Sequence, residues 1–119
     1  VMRREELLTA IAKVRQVHVD DQIYDYIARL AEVTRTHPLL KLGISPRGAL
    51  ALCRTAKARA FAEGRDFVVP EDVTQMAEYV FAHRLMLSSK ARLNEYTPEA
   101  IVAEVLAQTQ PPVLSERRA

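Results

Sequence analysis

The 119 residues suffice for one small domain that buries roughly two-thirds of the surface of its unfolded chain. With 49% hydrophobic and 27% charged residues, the composition is that of an ordinary globular protein and argues against a disordered chain. The net charge is only +2, from 17 basic and 15 acidic residues, which argues against binding to nucleic acid through bulk charge.

The bulk features also bear on compartment and boundaries. The single cysteine, Cys53, cannot form an internal disulfide, which fits a reducing compartment and predicts a cytoplasmic protein. No apolar run approaches the roughly 20 residues of a membrane-spanning helix, so we expect no membrane span. The chain enters a helix almost at once, as though cut from a longer polypeptide. We expect one domain over residues 1–110 and a flexible tail over 111–119.

Scarce glycine and plentiful alanine, leucine, arginine and glutamate favour helices. The first predicted helix spans residues 5–14. Asp20 is the expected N-cap of the second helix, which should end at His37-Pro38 because the residue before a proline avoids the α region. A connecting loop follows over residues 38–45.

Three more helices are predicted in the second half of the chain. The third has Ser45 as its N-cap and Pro46 as its first residue, and Gly64 should end it in a left-handed conformation. The fourth begins at Pro70, and the fifth is capped by Thr97.

Short apolar runs between the helices predict a little β structure. Residues 16–19 and 65–69 read as short strands, 83–87 as an extended segment and 88–96 as a loop. The expected fold is mainly α, a bundle of about five helices with a small two- or three-stranded β element.

The sequence contains little that supports catalysis by this chain alone. There is no phosphate-binding GxxxxGK[ST] loop, no GxGxxG and no GxSxG. Acidic pairs at 20–21 and 71–72 fall at helix starts, where capping explains them. Cys53 lies in an apolar helical stripe and is expected to be buried. The histidines lack the spacing of zinc ligands, and no metal site is expected: His18, His37 and His83.

The stretch GISPRGALALCRTAKARA raises the main functional question. Arg47 stands in the first turn of the third helix, where a cation is mildly unfavourable with the helix dipole. Gly48 follows and leaves room for a ligand or another backbone. Arg54, seven residues on, points in almost the same direction. Arg47 is therefore either a solvated side chain or one directed at an anion.

The run LGISPRGALALCRTAKARAFAEGRDFVVPEDV, followed by VFAHRLML, resembles the C-terminal lid domain of MoxR-type AAA+ ATPases. That family typically shows L-G-A-S-P-R, an alanine-rich helix, G-R-x-[YF]-V-x-P-x-D-V and H-R-[LIV]. Upstream, VHVDDQIYDYIARLAEVTRTHP is similar to the family's V-x-V, Y-I helix and T-R-x-H-P. The motifs occur in the family's order over about residues 3–110, with isoleucine at 44 where alanine is commoner.

The resemblance implies that Arg47 is the sensor-2 residue, which reaches from the lid to nucleotide phosphates bound by a preceding α/β core. The surrounding residues would support its loop and helix start: Gly43, Ser45, Pro46 and Gly48. ATP and Mg²⁺ would be held by the parent protein's core, because this chain carries neither the phosphate loop nor the acidic Mg²⁺-binding strand.

The resemblance also implies partners. These are the upstream core of the same polypeptide, neighbouring subunits of a hexameric ring, and a client protein that the parent remodels or matures. Arg54, Arg65 and Arg84 would contact the core or a neighbouring subunit.

Two alternatives remain open. A basic helix could enter a DNA major groove, although near-neutral charge predicts weak attraction to phosphate; its cations are Arg47, Arg54, Lys57 and Arg59. The chain could instead be a free-standing adaptor that binds a partner on an exposed apolar helix face.

Overall fold

The protein is mainly helical, as predicted, and a computed structural model describes its residues 2–114. The helices are α1 (Arg4–Arg15), α2 (Asp21–Arg35), α3 (Pro46–Ala62), α4 (Pro70–Phe81), α5 (Ser89–Leu93) and α6 (Pro98–Gln108). A 3-10 turn, Ala82–Arg84, follows α4. The strands β1 (Leu40–Leu42) and β2 (Met86–Leu87) pair antiparallel, with Leu40 opposite Leu87.

The helices begin and end where the sequence places capping residues. The side chain of Asp20 accepts a hydrogen bond from the Gln22 N–H at 3.0 Å, and Thr97 caps α6 in the same way. Gly64 has φ of +80° just after α3 and receives the chain in the left-handed conformation that glycine tolerates. These local signals confirm the predicted helix bounds to within a few residues.

The predicted β structure was partly wrong: β2 lies within the segment 83–87 that was predicted to be extended, whereas the other strand was predicted elsewhere. Residues 16–19 and 65–69 form only an isolated parallel bridge between His18 and Phe67, with the His18 N–H donating to Asp66 O at 2.8 Å. The two-stranded sheet instead uses 40–42, which lies in the predicted connecting loop. A three-residue strand is too short for its alternation to be read, and its partner is more than forty residues away.

The predicted loop over residues 88–96 was also wrong in part, because it contains α5. The Ser88 side chain caps this helix by accepting from the Ala91 N–H at 3.1 Å. A helix of five residues is shorter than the window over which helical periodicity is visible.

The core lies between α2, α3, α4 and α6. Helix α3 packs most extensively on α4, and small buried residues such as Ala56, Ala60 and Ala77 allow the two helices to approach closely. Tyr26 and Phe81 are the largest fully buried side chains. Leu114 packs partly buried against this core, and residues 115–119 of the predicted tail lie outside the described residues.

Helix α1 lies at the edge of the bundle and packs mainly on α3. None of its residues is buried, and Leu7, Leu8 and Ile11 are 49%, 52% and 41% exposed. Its apolar side chains therefore contribute little to the core. Over residues 2–114, no helix combines the length and the hydropathy needed to cross a membrane.

Candidate functional site

The candidate site is built around the start of α3. The Ser45 hydroxyl accepts a hydrogen bond from the Gly48 N–H at 3.2 Å, and Pro46 occupies the first helical position, where its missing N–H costs nothing. This confirms the predicted cap. It also fixes Arg47 in the first turn, beside the positive end of the helix dipole.

The loop before α3 is clamped to the C-terminal end of α2. Both backbone polar groups of Ile44 bind side chains of α2: its N–H donates to Thr34 Oγ1 at 2.9 Å, and its carbonyl accepts from Arg35 Nε at 2.8 Å. Thr34 and the Ile44 side chain are fully buried. Isoleucine at 44 therefore anchors the loop in the core.

Gly43 lets this loop approach α2. A Cβ atom at Gly43 would lie 2.7 Å from backbone atoms of Thr34 and Arg35, closer than real Cβ contacts occur. Any side chain at 43 would push the loop outward, and Arg47 with it.

Arg47 is exposed and donates no hydrogen bond to residues 2–114. It lines a shallow pocket of about 360 Å³ together with Arg35 and Arg84. The other lining residues carry no charge: Leu42, Gly43, Ile44 and Ser45. The pocket thus combines three guanidinium groups with a helix N-terminus, an arrangement that attracts anions.

The space beside Gly48 is occupied by protein. A Cβ atom there would lie 3.0 Å from Arg84 Cδ and 3.0 Å from a methyl group of Ile44. From the sequence we expected this space to admit a ligand or another backbone, whereas in the structure the Arg84 side chain occupies it.

Arg54 does not join this pocket. It is exposed and lines a groove between α1 and α3, whose apolar floor includes Leu7, Ile11 and Phe61. Arg47 and Arg54 lie seven residues apart on the same side of α3. Arg47 nevertheless lines the pocket at the start of the helix, whereas Arg54 lines the groove beside α1.

Arg65 is held inside the domain by Asp72. Two of its nitrogens donate to the two carboxylate oxygens of Asp72, each at 2.7 Å, and Arg59 donates to the same carboxylate at 2.6 Å. The Val69 N–H completes the set at 2.8 Å. Asp72 is fully buried, whereas the arginine side chains are 22% and 23% exposed.

This network changes the titration of Asp72. Burial alone would raise the pKa of the carboxyl, but the hydrogen bonds from Arg65, the Val69 N–H and Arg59 hold that pKa below its ordinary value. The hydrogen bonds to Asp72 also raise the pKa of Arg65. The sequence explained Asp72 as a capping residue, which it is, and did not reveal the two arginines that it binds.

The surroundings of Cys53 and His37 indicate structural roles. Cys53 is buried, and burial raises the pKa of its thiol. His37 accepts the Leu39 N–H at Nδ1 and lies 3.2 Å from Glu104 through Nε2, which ties α2 to α6. In the described part of the chain, no three His, Cys, Asp or Glu side chains come together as metal ligands would.

Comparison with known proteins shows what this chain resembles. The family model described as the AAA lid domain matches residues 32–105, from the end of α2 into α6. This chain belongs to the AAA lid domain family.

The relatives place this AAA lid with the MoxR-type AAA+ ATPases. It is 37% identical over 113 residues to the uncharacterized protein YeaC of Bacillus subtilis, covering 95% of this chain and 35% of that protein. It is 33% identical over 97 residues to Chaperone MoxR1 of Mycobacterium tuberculosis, covering 74% of this chain and 26% of that protein.

A solved structure supports the same fold. The crystal structure of a protein proposed to be an ATPase, from Cytophaga hutchinsonii, superposes with a TM-score of 0.82 at 27% identity. It covers 86% of this chain and 34% of that one. The lid thus spans about a third of these relatives, or less.

Sequence analysis missed two contacts that shape the lid's site. Thr34 and Arg35 read as an ordinary helix end, yet they hold the loop that presents Arg47. Arg84 read as a surface contact, yet it lies on Gly48 inside the pocket. The T-R and H-R motifs contain these residues, but the residues come close to the S-P-R segment only in the folded structure.

Proposed function

We propose that this chain is the nucleotide-responsive lid of an AAA+ ATPase and that Arg47 is its sensor-2 residue. One observation carries the proposal: Arg47 is exposed at the N-terminus of a long helix, unpaired within residues 2–114, in a pocket lined by two further arginines. A fixed positive pocket without a carboxylate among its lining residues is suited to phosphate.

The chain's part in hydrolysis would be electrostatic. ATP and Mg²⁺ would be bound by the core domain of the parent, and Arg47 would reach across to the phosphates. The guanidinium is always charged and binds phosphate through a planar pair of donors. A hydrogen bond to a charged group contributes about 1.5–3 kcal/mol, which is about one to two decades in rate or affinity.

Because the loop before α3 is anchored to α2, the lid could couple nucleotide binding to its own movement. Gly43 and Ile44 fix the S-P-R segment to α2. A force exerted on Arg47 by bound phosphate would therefore move the helical bundle as a unit instead of bending the loop. Phosphate contact would therefore favour the closed position of the lid over the open one.

Two surfaces are suited to the partners that this role requires. The apolar face of α1, with Leu7, Leu8 and Ile11 about half exposed, would pack on the upstream core domain. Arg54, exposed beside that face, would contact the core or a neighbouring subunit of a hexameric ring. Arg65 could do so only while keeping its bonds to Asp72.

The parent would use ATP to remodel or mature a client protein. The name of the relative Chaperone MoxR1 supports a chaperone role. The single unpaired cysteine supports a cytoplasmic location.

Steady-state ATP hydrolysis by the full-length parent tests the proposal. Arg47→Ala should lower turnover or nucleotide affinity by about 10- to 100-fold, the loss of one charge-assisted hydrogen bond. Arg92→Ala, at an exposed position of α5 outside the pocket, is the matched control and should change neither. Unchanged hydrolysis and affinity in a folded Arg47→Ala protein would refute the sensor role.

An adaptor role is the second candidate, because the exposed apolar face of α1 would also suit a protein partner. It predicts partner binding that is independent of nucleotide and of Arg47. Binding to DNA is less well supported: on α3, Arg59 is bound to Asp72, and Lys57 donates to the Arg15 carbonyl at 2.8 Å.

A further inference from the structure

Arg84 is held over the start of α3 by contacts at two points. One terminal nitrogen donates to the Val80 carbonyl at 2.9 Å, and the aliphatic stem crosses Gly48 so closely that a Cβ there would lie 3.0 Å from Cδ. The side chain is exposed to solvent, yet its stem is confined. Arg84 also lines the pocket that Arg47 lines.

The guanidinium groups around this pocket keep most of their donors available. Each arginine has five N–H donors. Arg35 donates to Ile44 O and Arg84 to Val80 O, one bond each, and Arg47 donates none to the described residues. Their anchoring bonds go to neutral carbonyls, so no carboxylate among the pocket's lining residues offsets the three charges.

Three like charges around one pocket of about 360 Å³ repel one another, and the positive end of α3 adds to this. A single phosphate, with at most two charges near neutral pH, would offset only part of the repulsion, whereas a chain of phosphates carries more charges and can span guanidinium groups that lie further apart.

We infer that Arg84 is a second phosphate-binding residue, and that with Arg47 it makes the pocket select a chain of phosphates over a single phosphate. The inference rests on the proposed function and extends it from one arginine to a pair. Gly48 belongs to the arrangement because a Cβ atom at 48 would lie 3.0 Å from Cδ of Arg84, so the Arg84 stem would have to shift. Arg35 is a positioning residue that fixes the loop through Ile44.

The test is a titration of the 119-residue chain with sodium tripolyphosphate and, separately, with orthophosphate, followed by NMR on the backbone N–H and arginine Nε–H signals. NMR is chosen because binding without a phosphate loop is expected to be weak. The wild-type chain should bind tripolyphosphate more tightly than orthophosphate. Arg84→Gln should weaken tripolyphosphate binding about tenfold and orthophosphate binding less than threefold, as for one charge-assisted hydrogen bond.

Controls separate this effect from general charge and from folding. Arg92→Gln removes the same charge outside the pocket and should leave both affinities unchanged. Gly48→Ala keeps all the arginines but presses on the Arg84 stem and on a methyl group of Ile44, and it should lower the preference for tripolyphosphate. Arg84→Lys should restore part of it, because a lysine keeps the charge but not the planar fork.

The outcomes distinguish the two proposals. If Arg84→Gln behaves like Arg92→Gln while Arg47→Gln abolishes binding, Arg84 is not a ligand, although the sensor role of Arg47 stands. If the wild-type chain does not prefer tripolyphosphate, the paired site is refuted, and ATP hydrolysis by the parent still decides on Arg47 independently. A titration with ATP then shows whether the base and ribose add to phosphate binding.

Discussion

Asp72 is the residue on which the second half of the domain depends. Its carboxylate is fully buried between α3, the turn after α3 and the start of α4, and it accepts four hydrogen bonds. A buried carboxylate is stable only when its charge is paired, because removal from water is costly. Here two guanidinium groups and one backbone N–H provide the pairing.

We expect Asp72→Asn to lower the free energy of unfolding by about 3 kcal/mol, because it leaves two partly buried guanidinium groups without their counter-ion. The arginines are about a fifth exposed and can recover some hydration, which places the loss at the lower end for a buried pair. Denaturant unfolding of the 119-residue chain measures it. Glu71→Gln, an exposed acid in the same helical turn, is the control and should cost much less.

The same variant should show a defined pH dependence. The folded-state pKa of Asp72 lies below the unfolded value of about 3.9, so its stabilisation is fully present above that pH and is lost as pH falls through the folded-state pKa. The difference between wild type and Asp72→Asn should therefore be constant from pH 7 to about 5 and shrink below about pH 4. A difference that stays constant down to pH 2.5 would contradict the ion-pair explanation.

The site depends on the contact between the loop before α3 and the end of α2. Gly43→Ala places a Cβ 2.7 Å from the α2 backbone, so the loop must move, and we expect a loss of about 2 kcal/mol in stability. The displaced loop should also carry Arg47 out of position. Tripolyphosphate binding, measured by NMR at a temperature where the chain is folded, should weaken at least tenfold, as expected when a charge-assisted bond is lost.

Gly64→Ala provides the matched comparison. Its φ of +80° makes alanine unfavourable by about 1 kcal/mol, yet nothing lies within 4 Å of the added Cβ and the residue is far from the pocket. It should therefore lower stability without lowering tripolyphosphate affinity. Equal affinities for Gly43→Ala and wild type would show that the loop position does not control Arg47.

The elements also show how far sequence reasoning extends. Ser45, Pro46 and Gly64 act within a few residues of themselves, so their roles as cap, first residue and stop could be predicted from local chemistry. Thr34 and Ile44 interact across ten residues, and Gly48 and Arg84 across thirty-six. No local periodicity encodes such contacts.

The errors in the predicted β structure have the same origin. Apolar alternation at 16–19 was real, but a strand also needs a partner in register, and only one bridge forms there. Segments 40–42 and 86–87 pair because α3 and α4 bring them together, which is a property of the fold and not of either segment. The motif order could identify the lid, whereas the composition of its pocket required the structure.

Helix α1 is unusual in this domain because it is amphipathic and has no buried residue. Half-exposed Leu7 and Ile11 on one helix face are an unfavourable surface for an isolated domain and an expected one for a domain that packs on another. The relatives are about three times as long as this chain or longer.

This gives a prediction that compares the chain with its parent. Leu7→Gln combined with Ile11→Gln should lower the unfolding free energy of the 119-residue chain by less than about 1 kcal/mol, because both side chains are already half in water. If α1 packs on the core, the parent should lose about 2 kcal/mol more, since the remaining apolar surface of both side chains is then buried there.

Denaturant unfolding of both proteins measures the difference, with Leu93→Gln on α5 as the control because that side chain is 83% exposed. Equal small losses in chain and parent would mean that α1 remains in water in the parent as well. The α1 face would then be open to a separate partner, and the adaptor role would gain support. A larger loss in the parent alone would identify α1 as a surface through which the lid packs on the core.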